Sequence, residues 1–165
     1  MQQAIRSIGT RLNMLEAQSL QALGFYGVTR ELARLAGASG AAILLLDPDA
    51  RYLIQARAMM MDGELVGSTR EDCMGTPCQV VAEGRELLID RGLRRLFPGD
   101  TLCELFELEG YAGVPLRREG GKVFGLVATF FREPVDNGGL IMEVLRVAGR
   151  LVGPGLVERI SPWPG

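Results

Sequence analysis

The sequence contains no histidine among its 165 residues. Histidine is the usual general base, the usual activator of a nucleophile and the commonest metal ligand, so the commonest forms of acid–base catalysis and metal binding are excluded. Lysine occurs once, at Lys122, and the net charge of −2 gives no electrostatic reason to expect nucleic acid. The composition therefore favours binding over catalysis, and we expect no metal and no cofactor.

Long apolar runs are also missing. The longest, Ala41 to Leu46, is far shorter than the roughly 20 residues that a membrane helix needs. Arg6, Arg11 and Asn13 interrupt any signal-peptide core near the N-terminus. We therefore expect a cytoplasmic chain without a membrane partner, in which the three cysteines are reduced and match no zinc-binding spacing.

The apolar fraction of 47% and the charged fraction of 23% are ordinary for a globular domain. A chain of this length buries enough surface for one core, so we expect a single domain over residues 1–165. Its predicted parts are an N-terminal helical segment (1–37), a sheet with a pocket-covering segment (38–135) and a C-terminal helix (136–160).

Apolar runs separated by turn residues predict the strands. Ala41–Leu46 and Tyr52–Met59 flank an Asp-Pro-Asp turn and predict an antiparallel hairpin. Gly110–Phe131 predicts a second hairpin, whose Val- and Phe-rich second strand is buried on both faces. Glu64–Ser68 and Glu86–Asp90 are further strand-like runs. The fold class predicted is α+β: an antiparallel sheet of about six strands with helices on both faces.

Capping residues predict two helices in the middle of the chain. Thr76 caps a helix over Pro77–Glu83, and Asp100 caps another that runs to about Leu108. Both lie in the long connection Gly63–Tyr111, which is a natural cover for a ligand pocket.

Amphipathic stretches lie near both ends of the chain. The first has apolar residues at coiled-coil spacing, namely Ile5, Ile8, Leu12 and Leu15. A helix that ends at Gly37 follows it, and a closing helix begins near Asp136 and is expected to break at Gly153-Pro154-Gly155. Because paired helices bury both stripes at once, we expect a homodimer, although each stripe has the alternative of packing on its own sheet.

Five short motifs occur in an order that is typical of one family. They are Gly75-Thr76-Pro77-Cys78, Gly84-Arg85, Phe97-Pro98-Gly99-Asp100, Glu109-Gly110-Tyr111-Ala112-Gly113-Val114-Pro115-Leu116 and Gly121-Lys122-Val123-Phe124-Gly125-Leu126. Over about Val28 to Val152 the chain thus resembles the GAF domains of bacterial signalling proteins. The resemblance implies an antiparallel sheet, outer helices that often pair two copies, and a small-molecule pocket between the sheet and the mid-chain segment.

The chain also departs from parts of that family. It lacks the Asn-Lys-Phe-Asp-Glu signature of cyclic-nucleotide GAF domains and the histidine-containing bilin site of phytochromes, so neither ligand is expected. No kinase, nucleotide cyclase or DNA-binding segment accompanies the domain. We therefore expect it to act through a separate signalling effector, or to be part of a longer chain.

The candidate ligand-binding residues lie in and beside the pocket-covering segment. They are Cys78, Phe97, Cys103, Phe106 and Tyr111. The Tyr111 hydroxyl offers a polar handle for an unknown small molecule. The alternative is that these side chains are ordinary core. Arg91, Arg94 and Arg95 form either an anion site or a solvated basic loop.

Cys73, Cys78 and Cys103 are the candidate redox residues. Cys78 falls in the first turn of a predicted helix, where the helix dipole favours a thiolate; otherwise it is a small apolar core residue. Free methionine-R-sulfoxide reductases, which share the GAF fold, use cysteines in this part of the fold. That resemblance implies thiolate attack on a sulfoxide and resolution through a disulfide. It is imperfect, because Met74 separates Cys73 from the Gly-Thr pair.

The sequence therefore predicts a non-catalytic GAF-type sensory domain that binds a small molecule or senses redox state and signals through dimer helices. The enzyme alternative is thiol-dependent reduction of a small sulfoxide. The third alternative is a structural dimerisation module with an unoccupied apolar pocket.

Overall fold

The computed structural model describes residues 24–67 and 70–159. Its strands are β1 (Gly40–Leu46), β2 (Leu53–Met61), β3 (Glu64–Leu65), β4 (Arg70–Asp72), β5 (Leu87–Ile89), β6 (Gly110–Arg117) and β7 (Val123–Phe131). Its helices are α1 (residues 24–36), α2 (Pro77–Ala82), α3 (Leu93–Leu96), α4 (Thr101–Leu105) and α5 (Gly138–Arg159). The predicted α+β class is confirmed.

All strands of the described residues pair antiparallel in one sheet of seven strands, in the order β3-β2-β1-β7-β6-β5, and β4 also pairs with β2. Strand β1 lies at the centre, where Ile43 is opposite Ala58 on β2 and Val127 on β7. A strand with neighbours on both sides and helices on both faces must be apolar throughout. This explains the continuous apolar runs in β1 and β7, and both predicted hairpins are confirmed.

The short strands differ from the prediction. Of the expected Glu64–Ser68 strand, Glu64–Leu65 forms, Val66 and Gly67 do not join it, and Ser68 lies outside the described residues. The expected strand Glu86–Asp90 is shorter and covers Leu87–Ile89. Strand β4 was not predicted, because its three exposed residues are all charged and give no alternating pattern. It forms by antiparallel pairing with β2, where Leu53 lies opposite Asp72 and Gln55 lies opposite Arg70.

One face of the sheet is covered by α1 and α5. From α1, Val28 and Leu32 are buried against the sheet. The helix ends at Gly37, which has a left-handed φ of 64°, and the Ala38 N–H donates to the Ala33 carbonyl at 2.9 Å. The predicted glycine cap is therefore confirmed.

Helix α5 continues through the position where a break was expected. It spans Gly138–Arg159 with Pro154 inside it, so the predicted break at Gly153-Pro154-Gly155 was wrong. Proline has a helical φ; it removes the N–H that would bond the carbonyl four residues earlier, and its ring pushes that carbonyl away, which bends a helix more often than it ends one. Pro154 and Arg150 are both exposed, so water can satisfy the carbonyl of Arg150 and the helix need not end.

The opposite face is covered by residues 70–106, the cap segment. Helix α2 forms as predicted and is followed by Gly84 with φ 99°. Thr76 does not cap it with its side chain, because its hydroxyl donates to the Cys73 carbonyl at 2.7 Å. Asp100 does cap α4, which nevertheless ends at Leu105 rather than near Leu108.

The apolar stripe from Ile5 to Leu15 lies outside the described residues, so homodimerisation stays a prediction. Across residues 24–67 and 70–159, the structure has no helix that is both long and apolar enough to cross a membrane.

Candidate functional site

A cavity of about 480 Å³ lies between the sheet and the cap segment. This is within the range of small-molecule sites. Its lining residues are Leu44, Ile54, Ala56, Met59, Val66, Gly67, Glu71, Asp72, Cys73, Thr76, Cys78, Asp100, Thr101, Leu102, Leu105, Phe106 and Phe130.

The sheet supplies the apolar floor of the cavity. Leu44 on β1, Ile54 on β2 and Phe130 on β7 project to the same face, because side chains alternate along a strand. On the cap side, Leu102 and Phe106 are four residues apart in the turn-and-a-half around α4, so both reach the cavity. The sheet and the cap segment thus each supply an apolar wall of the cavity.

The predicted ligand-binding residues divide into two groups. Cys78 and Phe106 line the cavity, and so does Cys73. Phe97, Cys103 and Tyr111 do not line it; they belong to the apolar cluster that surrounds it. The structure therefore does not bring these last three side chains to the cavity surface.

Tyr111 is fully buried rather than offering its hydroxyl to a ligand. Its Oη lies 3.4 Å from the Cys78 sulfur, and its ring packs on Phe130 with centroids 5.9 Å apart. Gly113 makes room for this ring, since a Cβ at that position would lie 2.7 Å from the Tyr111 Oη. The Tyr111-Ala112-Gly113 segment thus packs behind Cys78, on the side away from the cavity.

Burial is the main cause of the raised pKa of all three cysteine thiols. It raises the pKa of Cys73 to about 11 and the pKa of Cys78 to about 12. The pKa of Cys103 is also raised, first by burial and then by the nearby Asp100 carboxylate. A buried thiol is poorly reactive because its thiolate is not formed. The thiolate expected for Cys78 from the helix dipole is therefore opposed by its surroundings.

The raised pKa of Cys78 predicts that stability falls in alkali. The folded protein holds this proton more tightly than the unfolded chain, so the stabilisation is complete below about pH 9 and is lost as the pH rises towards 12. Between about pH 8 and pH 10 we expect Cys78 to account for a loss of about 1 kcal/mol in the free energy of unfolding. Urea denaturation of wild type and Cys78→Ala at both pH values checks this.

In Cys78→Ala the loss between the two pH values should shrink by that amount. Equal pH dependence in the two proteins, or rapid alkylation of native Cys78 near neutral pH, would contradict the burial argument and revive the redox reading of this thiol.

Among the described residues, the charged side chains that line the cavity are carboxylates. Glu71 and Asp72 come from β4, and Asp100 comes from the start of α4. The sequence indicated Asp100 only as a helix cap and did not indicate the other two. The three arginines proposed as an anion site do not line the cavity (Arg91, Arg94 and Arg95). The Nη2 of Arg94 instead lies 3.7 Å from Oε2 of Glu109. Within the described residues no group of histidine, cysteine and acidic side chains is arranged to hold a metal.

Arg132 connects the rim of the cavity to the end of β7. Its Nε donates to the Phe106 carbonyl at 2.9 Å, and its Nη2 donates to Asp62 Oδ2 at 2.7 Å. Its backbone N–H donates to the Ser39 hydroxyl at 3.1 Å. No sequence pattern indicated this residue, because its partners lie on three distant segments.

The fold and its cavity agree with the comparison to protein families. The family model described as GAF domain matches residues 24–152. The chain therefore belongs to the GAF domain family, and the resemblance noted in the sequence is confirmed. No curated protein matches the chain.

Solved structures with the same fold come from several bacteria. A GAF domain of a phosphoenolpyruvate-protein phosphotransferase from Coxiella burnetii has a TM-score of 0.63 at 16% identity, with 94% of each chain covered. The corresponding Acinetobacter domain has a TM-score of 0.60 at 16% identity, with 94% of this chain and 93% of that chain covered. The chromophore-binding domain of Stigmatella aurantiaca phytochrome P1 has a TM-score of 0.60 at 15% identity. The match covers 92% of this chain but 58% of the phytochrome fragment, so this chain spans well under two thirds of it.

Proposed function

We propose that this GAF domain is a non-catalytic sensor that binds a small molecule in the cavity between the sheet and the cap segment. The observation that carries the proposal is the cavity itself: about 480 Å³, apolar on the sheet side and polar where β4 and the start of α4 meet it. A preformed apolar cavity with a few placed polar groups is the usual form of a small-molecule site.

Small-molecule binding is supported better than redox sensing. Redox sensing and sulfoxide reduction both need an accessible thiolate. Burial raises the pKa of Cys73 to about 11 and that of Cys78 to about 12, so both are thiols near neutral pH. The phytochrome P1 structure that shares the fold is a chromophore-binding domain. This is consistent with a cavity that holds an organic ligand.

We also propose that the signal leaves through the helices of the opposite sheet face, in a homodimer. A ligand changes the arrangement of α1 and α5 only if it binds two packing states unequally. Ligand-dependent sedimentation, or a ligand-dependent distance between labels on α5, would support this output. A monomer at high concentration with and without ligand would contradict the dimer.

A thermal-shift screen over metabolites tests the sensory proposal. Binding at 100 times Kd stabilises the native state by about 2.7 kcal/mol, so a true ligand should raise Tm by several degrees. The matched control is Ala56→Trp, because Ala56 lines the cavity and indole would fill it. We expect the shift in the wild type and none in the variant.

Two results would contradict the proposal. A Tm shift of equal size in Ala56→Trp would place the binding site elsewhere. If no metabolite stabilises the wild type at a saturating concentration, the structural dimerisation module is the better interpretation.

A further inference from the structure

The floor of the cavity is apolar and lies beneath the cap segment. Leu44, Ile54, Met59 and Phe130 line the cavity from the sheet, although only between 3% and 8% of each residue is exposed. These side chains therefore face an interior space and not bulk water. Water in such a space finds few hydrogen-bond partners, so an apolar molecule that takes its place is favoured. The floor thus indicates a ligand with an apolar body.

Thr76 and Cys78 are polar residues of the cavity wall whose side chains already have partners in the protein. The Thr76 hydroxyl donates to the Cys73 carbonyl at 2.7 Å. The Cys78 sulfur lies 3.4 Å from the Tyr111 Oη, and either atom can be the donor. A buried polar group that is bonded in this way needs no further partner from a ligand. This part of the wall therefore does not require polar groups on the ligand.

Asp100 is also satisfied within the protein. It is buried, and its Oδ1 accepts hydrogen bonds from the Leu102 and Cys103 N–H groups at 2.9 and 3.3 Å. The Cys103 thiol is a third hydrogen-bond partner of this carboxylate. Capping of α4 explains why an aspartate lies at this position, so Asp100 gives no reason to expect a charged ligand.

The other two carboxylates lie at the mouth of the cavity, which is formed by the exposed lining residues Gly67, Glu71, Asp72, Thr101 and Leu105. A charge on a ligand would remain in water at the mouth, and ion pairs between exposed groups contribute little free energy. Among the described lining residues there is no arginine or lysine, so an anion would find no cationic partner deeper in the cavity. The described part of the site therefore selects neither sign of charge.

Leu105 extends the apolar surface from the interior to the mouth. It lines the cavity from α4, and 75% of it is exposed. Leu102 and Phe106 line the cavity from the same part of the cap segment and are only partly buried. A ligand body that covers these side chains removes apolar surface from water, and each methylene that it buries strengthens binding about fourfold. The cap thus offers apolar contacts to a ligand that reaches from the floor to the mouth.

Building on the proposed sensory function, we propose that the ligand is an uncharged apolar molecule: an aliphatic or aromatic body that carries at most a small polar group such as a hydroxyl or a carbonyl. The body packs between the floor and α4, and the polar group faces the mouth. Charged metabolites, including phosphates, carboxylates and amines, bind less well, because burial of a charge without a partner is costly.

Aliphatic probes of different length and charge test this ligand class by NMR titration of the protein. Along the primary alcohols butanol, hexanol and octanol, Kd should fall about fourfold for each added methylene, because the chain enters apolar surroundings. Hexylamine (cationic) and hexanoate (anionic) match hexanol in length. Both should bind at least about tenfold more weakly than hexanol, because a charged head stays in water at the mouth and withdraws part of the chain from the floor.

Two exposed leucines of the cap segment provide a matched pair of variants. Leu105→Ala should weaken octanol binding about fourfold or more, because it removes apolar contact at the mouth. Leu96→Ala is the control, since Leu96 is 62% exposed on α3 and does not line the cavity; it should bind octanol as wild type does. Ala56→Trp, which fills the cavity, should bind none of the alcohols.

The inference is overturned if hexylamine or hexanoate binds as tightly as hexanol, if Kd does not fall along the alcohol series, or if no alcohol binds. It is also overturned if Ala56→Trp binds octanol as wild type does, or if Leu105→Ala and Leu96→Ala bind octanol equally.

The metabolite screen decides separately on the sensory function. A charged metabolite that stabilises wild type but not Ala56→Trp would uphold the cavity as a sensory site while refuting the uncharged ligand. Alcohol binding in the expected order, without any ligand-dependent change at α5, would uphold the ligand class while refuting the proposed output.

Discussion

Replacing Gly125 with alanine is expected to destabilise the domain by roughly 3 kcal/mol, because overpacking between well-packed strands costs this much when the neighbour cannot move. A Cβ at Gly125 would lie 2.5 Å from the Leu44 carbonyl oxygen on β1. That oxygen belongs to the backbone of the central strand, so no side-chain rotation relieves the clash. The strand pair Leu45 and Gly125 would have to separate.

Urea denaturation of Gly125→Ala and Gly139→Ala checks this expectation. Gly139 lies in the first turn of α5, and a Cβ there would meet nothing within 4 Å. Alanine also favours a helix more than glycine does, by up to about 1 kcal/mol. The first variant should lower the midpoint strongly and the second should not. Equal midpoints would show that β1 and β7 are not held as closely as described.

Leu145→Ala is expected to cost about 3 kcal/mol, within the range of buried leucine truncations. Leu145 is fully buried on the inner face of α5, in the cluster that joins this helix to α1 and to β6. The substitution removes packing atoms and leaves a cavity that the rigid sheet cannot fill. The loss should appear as a lower urea midpoint without a change in m-value.

The matched control is Leu140→Ala, the same substitution on the same helix. Leu140 is only partly buried, so much less of its side chain leaves a protein environment. We expect a loss of about 1 kcal/mol or less, as is common for single substitutions outside the core. If both variants lost the same stability, α5 would not be docked through the face that includes Leu145. The coupling of α5 to the sheet would then need another explanation.

The larger elements were predictable because local pattern and tertiary context agree. The hairpin β6–β7 has long apolar strands and a turn rich in glycine, and β1 is a continuous apolar run, as a central strand must be. Strand β4 was not predictable, because its three residues are all charged and exposed and give no alternating pattern, although they pair with β2. The break predicted at Pro154 was wrong because a proline need not end a helix where the carbonyl that loses its hydrogen bond is exposed to water.

The site was only partly predictable for a related reason. The covering position of the mid-chain segment, and the place of Cys78 and Phe106 beside the cavity, followed from the resemblance to the family. Which aromatic side chain faces the cavity depends on strand register and on the exact ends of α4. Tyr111 therefore proved to be core, while Asp72, which has no motif of its own, proved to line the cavity.

Arg132 has a mechanical consequence for any ligand that moves the cap. Arg132 directly follows β7, and its guanidinium donates to the Phe106 carbonyl at the C-terminal end of α4. This hydrogen bond ties the end of α4 to the end of β7. The chain reaches α5 from that anchor in only a few residues. A displacement of α4 would therefore be transmitted through this hydrogen bond and the short following segment to the start of α5. One side chain thus connects the helices on the two faces of the sheet.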